Sequence, residues 1–460
     1  MAAVLSRKAV SAPGKVLLAG GYLVLDREHT GLVFGLDARI HVHIEPLQTS
    51  QGVVLSEIIV KSPQFLEANW EYGYRLTEGE GGIAVTQLRV SADDPLLRNA
   101  FVETALSYAL TYISSSVPHH LIQPASISII ADTDYYSQPA KRSVSSSRFL
   151  NFDVPLWDAH KTGLGSSAAL VTAFTGALLA HYLPKSQFDL TTDTGRQRLH
   201  NLSQAAHCAA QGKVGSGFDV ASAVYGSCLY KRFSPSVLQS HGEPGTLLFS
   251  KKLKSLVEET SVKWDTEIVK SAVDIPKGLR LVMCDVDCGS KTPGMVKKVL
   301  QWRKEKPEEA GKIWGELQKR NDGLAAELVR LSKSNSTEYA ELRECIAKIR
   351  ALIREMSEAS GVPIEPEEQT QLLDTCSRIP GVVGGVVPGA GGYDAVSLLV
   401  ENKPDVIESI KKALADWKVN EKVDTGAVTI GKVSMLDVRE EMEGVRLEDP
   451  AIYGEWVEGH

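Results

Sequence analysis

The segment "KTGLGSSAAL", residues 161–170, constrains this chain more than any other stretch. Gly163 and Gly165 are followed by two small hydroxyl residues, Ser166 and Ser167, and then by an apolar run, "AALVTAFTGALLAHYL", that reaches Pro184. Apolar almost all round, that run predicts a buried helix stopped by the proline. A glycine-rich loop that opens a buried helix has a definite physical use. Glycines let the backbone approach a phosphate closely, and the free N–H groups and positive end of the helix bind the anion. Ser166 and Ser167 are placed to cap the helix, bind a phosphate oxygen or reach a magnesium ion.

From these residues alone three readings stay open: a phosphate cradle, a dinucleotide fingerprint and a flexible turn. A Walker A loop is excluded, because no Gly-Lys-Ser/Thr follows the glycines at the required spacing. "GLGSSA" does satisfy Gly-x-Gly-x-x-Ala, but that fingerprint needs a hydrophobic strand just before it, and "NFDVPLWDAHK" is a poor one.

The chain has 460 residues, enough for two or three cores. Its net charge of −7, with no long basic block, argues against a nucleic-acid partner. No apolar stretch approaches the ~20 residues of a membrane helix, and the N-terminus lacks a signal-peptide core, so a cytoplasmic protein is expected. Six cysteines in so long a chain do not form a disulfide scaffold, and the close pair Cys284 and Cys288 is expected to be reduced. The glycosylation patterns at Asn201 and Asn335 carry no meaning in a cytosolic protein.

"KVLLAGGYLVLD" reads as a strand, a tight turn and a second strand. "ARIHVHIEP" alternates, with Ile40, Val42 and Ile44 facing one way and Arg39, His41 and His43 the other. The two histidines tempt a metal reading, but the wet face of a half-buried strand explains them. Residues 99–114 have helical spacing, 125–132 return to strand, and the polar stretch 137–158 reads as a mobile insertion loop. A helix ended by Gly212, a strand at 279–289, two or three amphipathic helices within 305–377 and strands around the glycines of 381–401 complete the pattern. This mixed order favours an α+β protein of two lobes, divided at 235–275 and drawn here as 1–250 and 251–460.

Two further segments join the first. "SAPGKVLLAGGYLVLD" (11–26) and "PGAGGYDAV" (388–396), with "KTGLGSSAAL" between them, resemble the three signature motifs of the GHMP small-molecule kinases, in the same order. Within that family, "AAHCAAQGKVGSGFDVASAVYGS" (205–227) most resembles the eukaryotic, fungal-type phosphomevalonate kinases. The resemblance implies an N-terminal lobe like domain 2 of ribosomal protein S5, a ferredoxin-like C-terminal lobe, and an active site between them. It also implies ATP and Mg²⁺ as cofactors, and phosphorylation of (R)-5-phosphomevalonate to (R)-5-diphosphomevalonate in the mevalonate route to isoprenoids and sterols. A monomer or weak homodimer, without nucleic-acid or membrane partners, is expected.

Carried over residue by residue, the resemblance makes Lys15, Lys161 and Asp219 the catalytic candidates. Gly163, Leu164, Gly165, Ser166, Ser167 and Ala168 would bind ATP, with Ser167 as the magnesium ligand. Lys15, Tyr22, Ser216, Lys291, Gly389, Ala390 and Gly391 would face the acceptor. Relatives that phosphorylate an alcohol are thought to use the aspartate to take its proton. A phosphate monoester with a second pKa of about 6 is mostly a dianion at neutral pH, so Asp219 is expected to orient Lys15 or the metal instead. Tyr22 either lines the pocket or packs in the strand, Asp219 is otherwise a helix N-cap, and Lys297, Lys298, Arg303 and Lys304 read as a solvated helix face. Two departures from the family stand out. The helix before Asp219 has no acid in "NLSQAAHCAAQGKVGSGF", where many relatives place a second magnesium ligand; His207 is a poor substitute for a hard cation. Gly21 also stands where several relatives carry an acid. The competing functions are a kinase acting on mevalonate or another small molecule, and a non-catalytic sensor of ATP and a metabolite.

Overall fold

Thirteen of the seventeen residues of the helix that follows the glycine loop are buried, and the larger lobe is built around it. The computed structural model describes residues 5–47, 55–88, 98–116, 122–137, 147–239, 241–288, 294–334, 336–417 and 430–457. In the first lobe β1 (Lys8–Ala19) and β2 (Thr30–Pro46) form a long antiparallel pair, followed by β3 (Glu57–Lys61), β4 (Asn69–Leu76) and β5 (Ile83–Gln87). Helix α1 (Ala100–Ser116) then leads to β6 (Ala125–Ala131), which lies between β2 and β3. The glycine-loop helix α2 (Ser166–Tyr182) packs on β1, β2, α1 and α3 (Asp193–Gln211). Sandwiched between sheet and helices, it needs apolar side chains on every face, which is the pattern its sequence carries. Helix α3 ends at Gly212 in the left-handed conformation, as expected, and α4 (Phe218–Tyr225) with β7 (Cys228–Lys231) follows.

The second lobe is a four-stranded antiparallel sheet in the order β10 (Val382–Val386), β11 (Ala395–Glu401), β9 (Leu279–Cys288), β12 (Ile430–Met435). Its helices are α6 (Met295–Glu305), α7 (Pro307–Ser332), α8 (Ala340–Ser360), α9 (Glu367–Ser377) and α10 (Pro404–Ala415). The two or three amphipathic helices expected within 305–377 prove to be three, α7, α8 and α9. One apolar core runs through both lobes, joining Leu18, Leu23 and Leu32 to Leu317, Ile349 and Val386. The fold is thus α+β and two-lobed, as expected. Among the described residues no helix is long and apolar enough to cross a membrane.

Sheet membership crosses the expected division at 250/251. Helix α5 (Phe249–Val257) packs on α1 and α3, and β8 (Glu267–Val269) pairs with β7. After β12 the chain returns to the first lobe, where β13 (Glu440–Glu441) pairs with β2 and β14 (Arg446–Glu448) with β1. The open edge of β1 needs a partner for its backbone groups, and the C-terminal segment supplies it.

Other expectations change as well. After β1 the chain does not form a second strand at once: Leu23–Leu25 is a 3₁₀ turn and β2 starts at Thr30. Leu23 and Val24 are both buried, which a turn allows and an alternating strand would not. Arg39, His41 and His43 are not on a wet face; each is buried. Tyr453 of the C-terminal segment covers the two histidines, its hydroxyl 2.8 Å from His41 Nδ1, and Phe149 stacks edge-on against His41 at 5.2 Å. His41 Nε2 is 3.2 Å from Asp132 Oδ1, so the two histidines serve packing and a buried hydrogen-bond cluster. In the expected insertion loop, residues 138–146 lie outside the described residues, while Arg148 pairs with Asp132 and Phe152 is buried. Cys284 is a free, buried thiol; Asn335 and the side chain of Cys288 lie outside the described residues.

Candidate active site

Strand β1 delivers Lys15 to the glycine loop. The Lys15 backbone N–H donates to the Leu164 carbonyl at 2.9 Å, and its ammonium to the Gly163 carbonyl at 3.2 Å. The lysine stem lies over Gly165, where a Cβ would stand 2.9 Å from Lys15 Cε. Gly165 also takes φ +81° as it starts α2, so both space and backbone conformation require glycine there. Leu164 is buried and anchors the loop, and Ala168 is buried in the first turn. Ser166 and Ser167 stand at the N-terminus of α2, where unpaired N–H groups and the helix dipole favour an anion.

Asp219 lies in the first turn of α4, whose N-cap is Gly217 rather than the aspartate. A Cβ at Gly217 would stand 2.7 Å from the Tyr230 hydroxyl, which donates to the Ser216 carbonyl at 2.7 Å. Arg232 donates to the Gly215 carbonyl at 2.7 Å, so the loop carrying Ser216 is braced from β7 and its continuation. Burial holds the Lys15 ammonium below the ordinary lysine value, and the negative charge of Asp219 opposes that shift. Lys15, the glycine loop and Asp219 therefore form one electrostatic unit.

Lys161 is exposed at the rim of a cavity, together with Ser166 and Ser167. Its walls are aromatic and apolar, among them Phe65, Trp70, Phe101 and Tyr136, with Asn99 at the edge. Composition alone did not reveal this cavity, because its walls come from β4, α1 and the segment after β6. The strand and helix patterns locate those elements but not their convergence.

The third glycine loop docks on the first motif. Gly389 N–H donates to the Leu17 carbonyl at 3.3 Å, and a Cβ at Gly21 would stand 2.3 Å from the Gly389 oxygen. No side chain fits at position 21 in this arrangement. Tyr22 is buried and donates its hydroxyl to the Ala390 carbonyl at 2.8 Å. It ties the two loops together and lies outside the strand. Gly391 packs on the Ile364 carbonyl, 2.2 Å from where its Cβ would be. Lys291, with Ser290 and Thr292, lies outside the described residues.

Lys297, Lys298 and Lys304 are exposed, as expected of a solvated face. Arg303 departs from that pattern: it pairs with Asp26 and stacks on Trp314 at 4.0 Å, joining α6 to the turn after β1. His207 belongs to the site, although the sequence suggested for it only the part of a poor substitute metal ligand. On α3, its Nε2 lies 3.1 Å from Ser167 Oγ and 3.9 Å from Asp219 Oδ2. Its signal in the sequence was its place in the segment 205–227, twelve residues before the aspartate.

Among the described residues no group of three or more His, Cys, Asp or Glu side chains could hold a metal ion. Ser167 and Asp219 offer hydroxyl and carboxylate oxygens, the donor type a magnesium ion prefers.

The GHMP kinases N terminal domain, as a family model, matches residues 142–227. The phosphomevalonate kinase of Gibberella zeae is 54% identical over 452 residues, covering 98% of each chain. That of Aspergillus fumigatus is 48% identical over 484 residues, again covering 98% of each. Among solved structures, the Streptococcus pneumoniae phosphomevalonate kinase in complex with phosphomevalonate and AMPPNP superposes with a TM-score of 0.59 at 16% identity, over 93% of this chain and 99% of that one. At that identity the likeness speaks for the fold.

Proposed function

We propose, because this chain belongs to the phosphomevalonate kinases of the GHMP kinase family, that it transfers the γ-phosphoryl group of ATP to the phosphate of (R)-5-phosphomevalonate. The bond from the γ-phosphorus to ADP breaks with its electron pair leaving on ADP, and an acceptor phosphate oxygen forms the new bond, giving (R)-5-diphosphomevalonate. The observation that carries this reading is the convergence of Lys15, the N-terminus of α2 and Asp219 at one place.

Both reacting groups are anions, so catalysis consists mainly of positioning them and neutralising charge. Lys15 and Lys161 supply cations. Residues 163–168, with the Ser166 and Ser167 hydroxyls, hold the nucleotide phosphates, and the adjacent aromatic cavity takes the base. Gly389, Ala390, Gly391 and Ser216 border the acceptor, with Tyr22 holding the third loop in place; Lys291 is the candidate cation for the acceptor phosphate. A dianionic acceptor has no proton to give up, and Asp219 accordingly faces Lys15 as its counter-charge rather than acting as a base.

Ser167 and Asp219 would hold a magnesium ion brought in with the nucleotide, and such an ion neutralises phosphate charge. The lack of a closed set of protein ligands among the described residues fits a cation bound largely through substrate phosphates and water. The enzyme is assigned to sterol-forming isoprenoid synthesis in the cytoplasm, as a monomer or weak homodimer. The net charge of −7 supports the assignment of no nucleic-acid partner.

The test is ADP release measured with phosphomevalonate, mevalonate, homoserine and galactose as acceptors, with the product identified by phosphorus NMR. Release with phosphomevalonate alone, giving a diphosphate, is expected. Preference for mevalonate would identify the alternative kinase, and tight ATP binding without turnover would identify a sensor.

A further inference from the structure

We infer that His207 is a positioning residue that sets Ser167 and Asp219 against one another, an inference that rests on the kinase reading above. His207 is buried on α3 and reaches the first turns of both α2 and α4. Its Nε2 is within hydrogen-bond distance of Ser167 Oγ, at 3.1 Å, and faces Asp219 Oδ2 at 3.9 Å. Phe101, a wall of the nucleotide cavity, stacks on the imidazole with ring centroids 5.6 Å apart and planes at 28°, which fixes the ring orientation.

With a carboxylate on that side, electrostatics favour a hydrogen on Nε2; the tautomer is assigned from this arrangement. The imidazole then donates to Ser167 Oγ, and the serine's own O–H is directed away from it, toward the open end of the glycine loop. The Gln211 amide, 3.4 Å from the same nitrogen, presents its oxygen once turned to suit this tautomer. One side chain thus couples the residue that meets the nucleotide phosphates to the residue that faces Lys15. A carboxylate reaching the same two points would add negative charge where two polyanions must meet. Imidazole makes the link without that repulsion.

The experiment compares the full-length wild-type enzyme with His207→Leu, His207→Gln, His207→Asn, Ser167→Ala and the His207→Leu/Ser167→Ala pair. Glutamine places an amide nitrogen near the imidazole Nε2, whereas asparagine falls short. His207→Leu is expected to lower kcat about tenfold or more while the acceptor KM stays within about threefold, since misplacing reacting groups costs rate rather than binding. His207→Gln should recover most of that loss and His207→Asn should not. ATP affinity, measured calorimetrically without acceptor and with magnesium omitted, gives a second readout. Ser167→Ala and His207→Leu should each weaken it about fivefold, and the pair no more than either alone, because both remove the same link.

A folded His207→Leu enzyme with near wild-type kcat would overturn the inference, as would independent, multiplying losses in ATP affinity. If the leucine variant does not fold, equal activity of the glutamine and asparagine variants overturns it. A wild-type protein inert toward phosphomevalonate would fail the functional reading instead, and the ATP-affinity cycle would still decide the role of His207.

Discussion

Gly21 and Gly389 meet backbone to backbone, closely enough that a Cβ on residue 21 would lie 2.3 Å from the Gly389 carbonyl oxygen. With the Tyr22 hydroxyl bonded to Ala390, this contact locks the first and third motifs together. Gly21→Ala must therefore push the third loop away from the first motif. A shift of that kind is expected to lower kcat about tenfold to a hundredfold, with only a modest fall in Tm. Steady-state kinetics beside a melting curve check this, and unchanged kcat would show that the two loops act separately.

Lys15 and Asp219 make a prediction about pH. A lysine held below its ordinary value of 10.5 binds fewer protons when folded than when unfolded, over the interval between the two values. Its destabilising contribution is present in full below the folded value and disappears as the pH rises to 10.5. Activity that needs the ammonium is thus lost on an alkaline limb lying below that of an ordinary lysine. Asp219→Asn removes the charge that raises the Lys15 value, so the limb should move to lower pH. If Asp219 were the general base, the substitution would instead erase an acid limb and leave the alkaline one in place. A kcat/KM profile of both proteins distinguishes the two.

The cavity beside Ser166 and Ser167 should discriminate between the two substrates. Leu170 lines it one turn into α2, beyond Ser166 and Ser167. Leu170→Trp fills the space, and is expected to raise the KM for ATP about tenfold while the acceptor KM stays within about twofold. Equal increases in both would place the nucleotide base elsewhere.

The C-terminal clasp predicts sensitivity to acid. Burial lowers the pKa of His41 from 6.5, with Asp132 opposing the shift, so the unfolded chain takes up the proton first as the pH falls below that value. Stability therefore declines from pH 6.5 downward toward the folded value. Asp132, held below 3.8 by His41 and Arg148 against its own burial, adds a further loss as the pH falls from that value through its folded one. His41→Gln should flatten the upper part of the Tm profile, just below pH 6.5, and leave the lower part. Tyr453→Ala, which uncovers the cluster, should cost about 3–5 kcal/mol in denaturant unfolding at neutral pH. An unchanged Tm slope in His41→Gln would assign the acid sensitivity to other groups.

Much of this molecule was legible before its structure. The glycine loop, the all-round apolar α2, the end of α3 at Gly212 and the third glycine turn depend on local backbone freedom and local burial, which neighbouring residues encode directly. The placement of Lys15, Ser167 and Asp219 at those elements was legible for the same reason, through the resemblance of the motifs that carry them. The rest arose from contacts between distant segments. His41 and His43 alternate like a wet strand face, and only Tyr453, more than four hundred residues away, makes that face buried. Tyr22 and Gly21 have their meaning in Ala390 and Gly389, and His207 has its meaning in Ser167 and Asp219. Periodicity reports how a segment would present its side chains, not which other segment arrives to meet them. The sequence by itself determined the glycine loop and the elements around it; tertiary packing decided which of their side chains face one another.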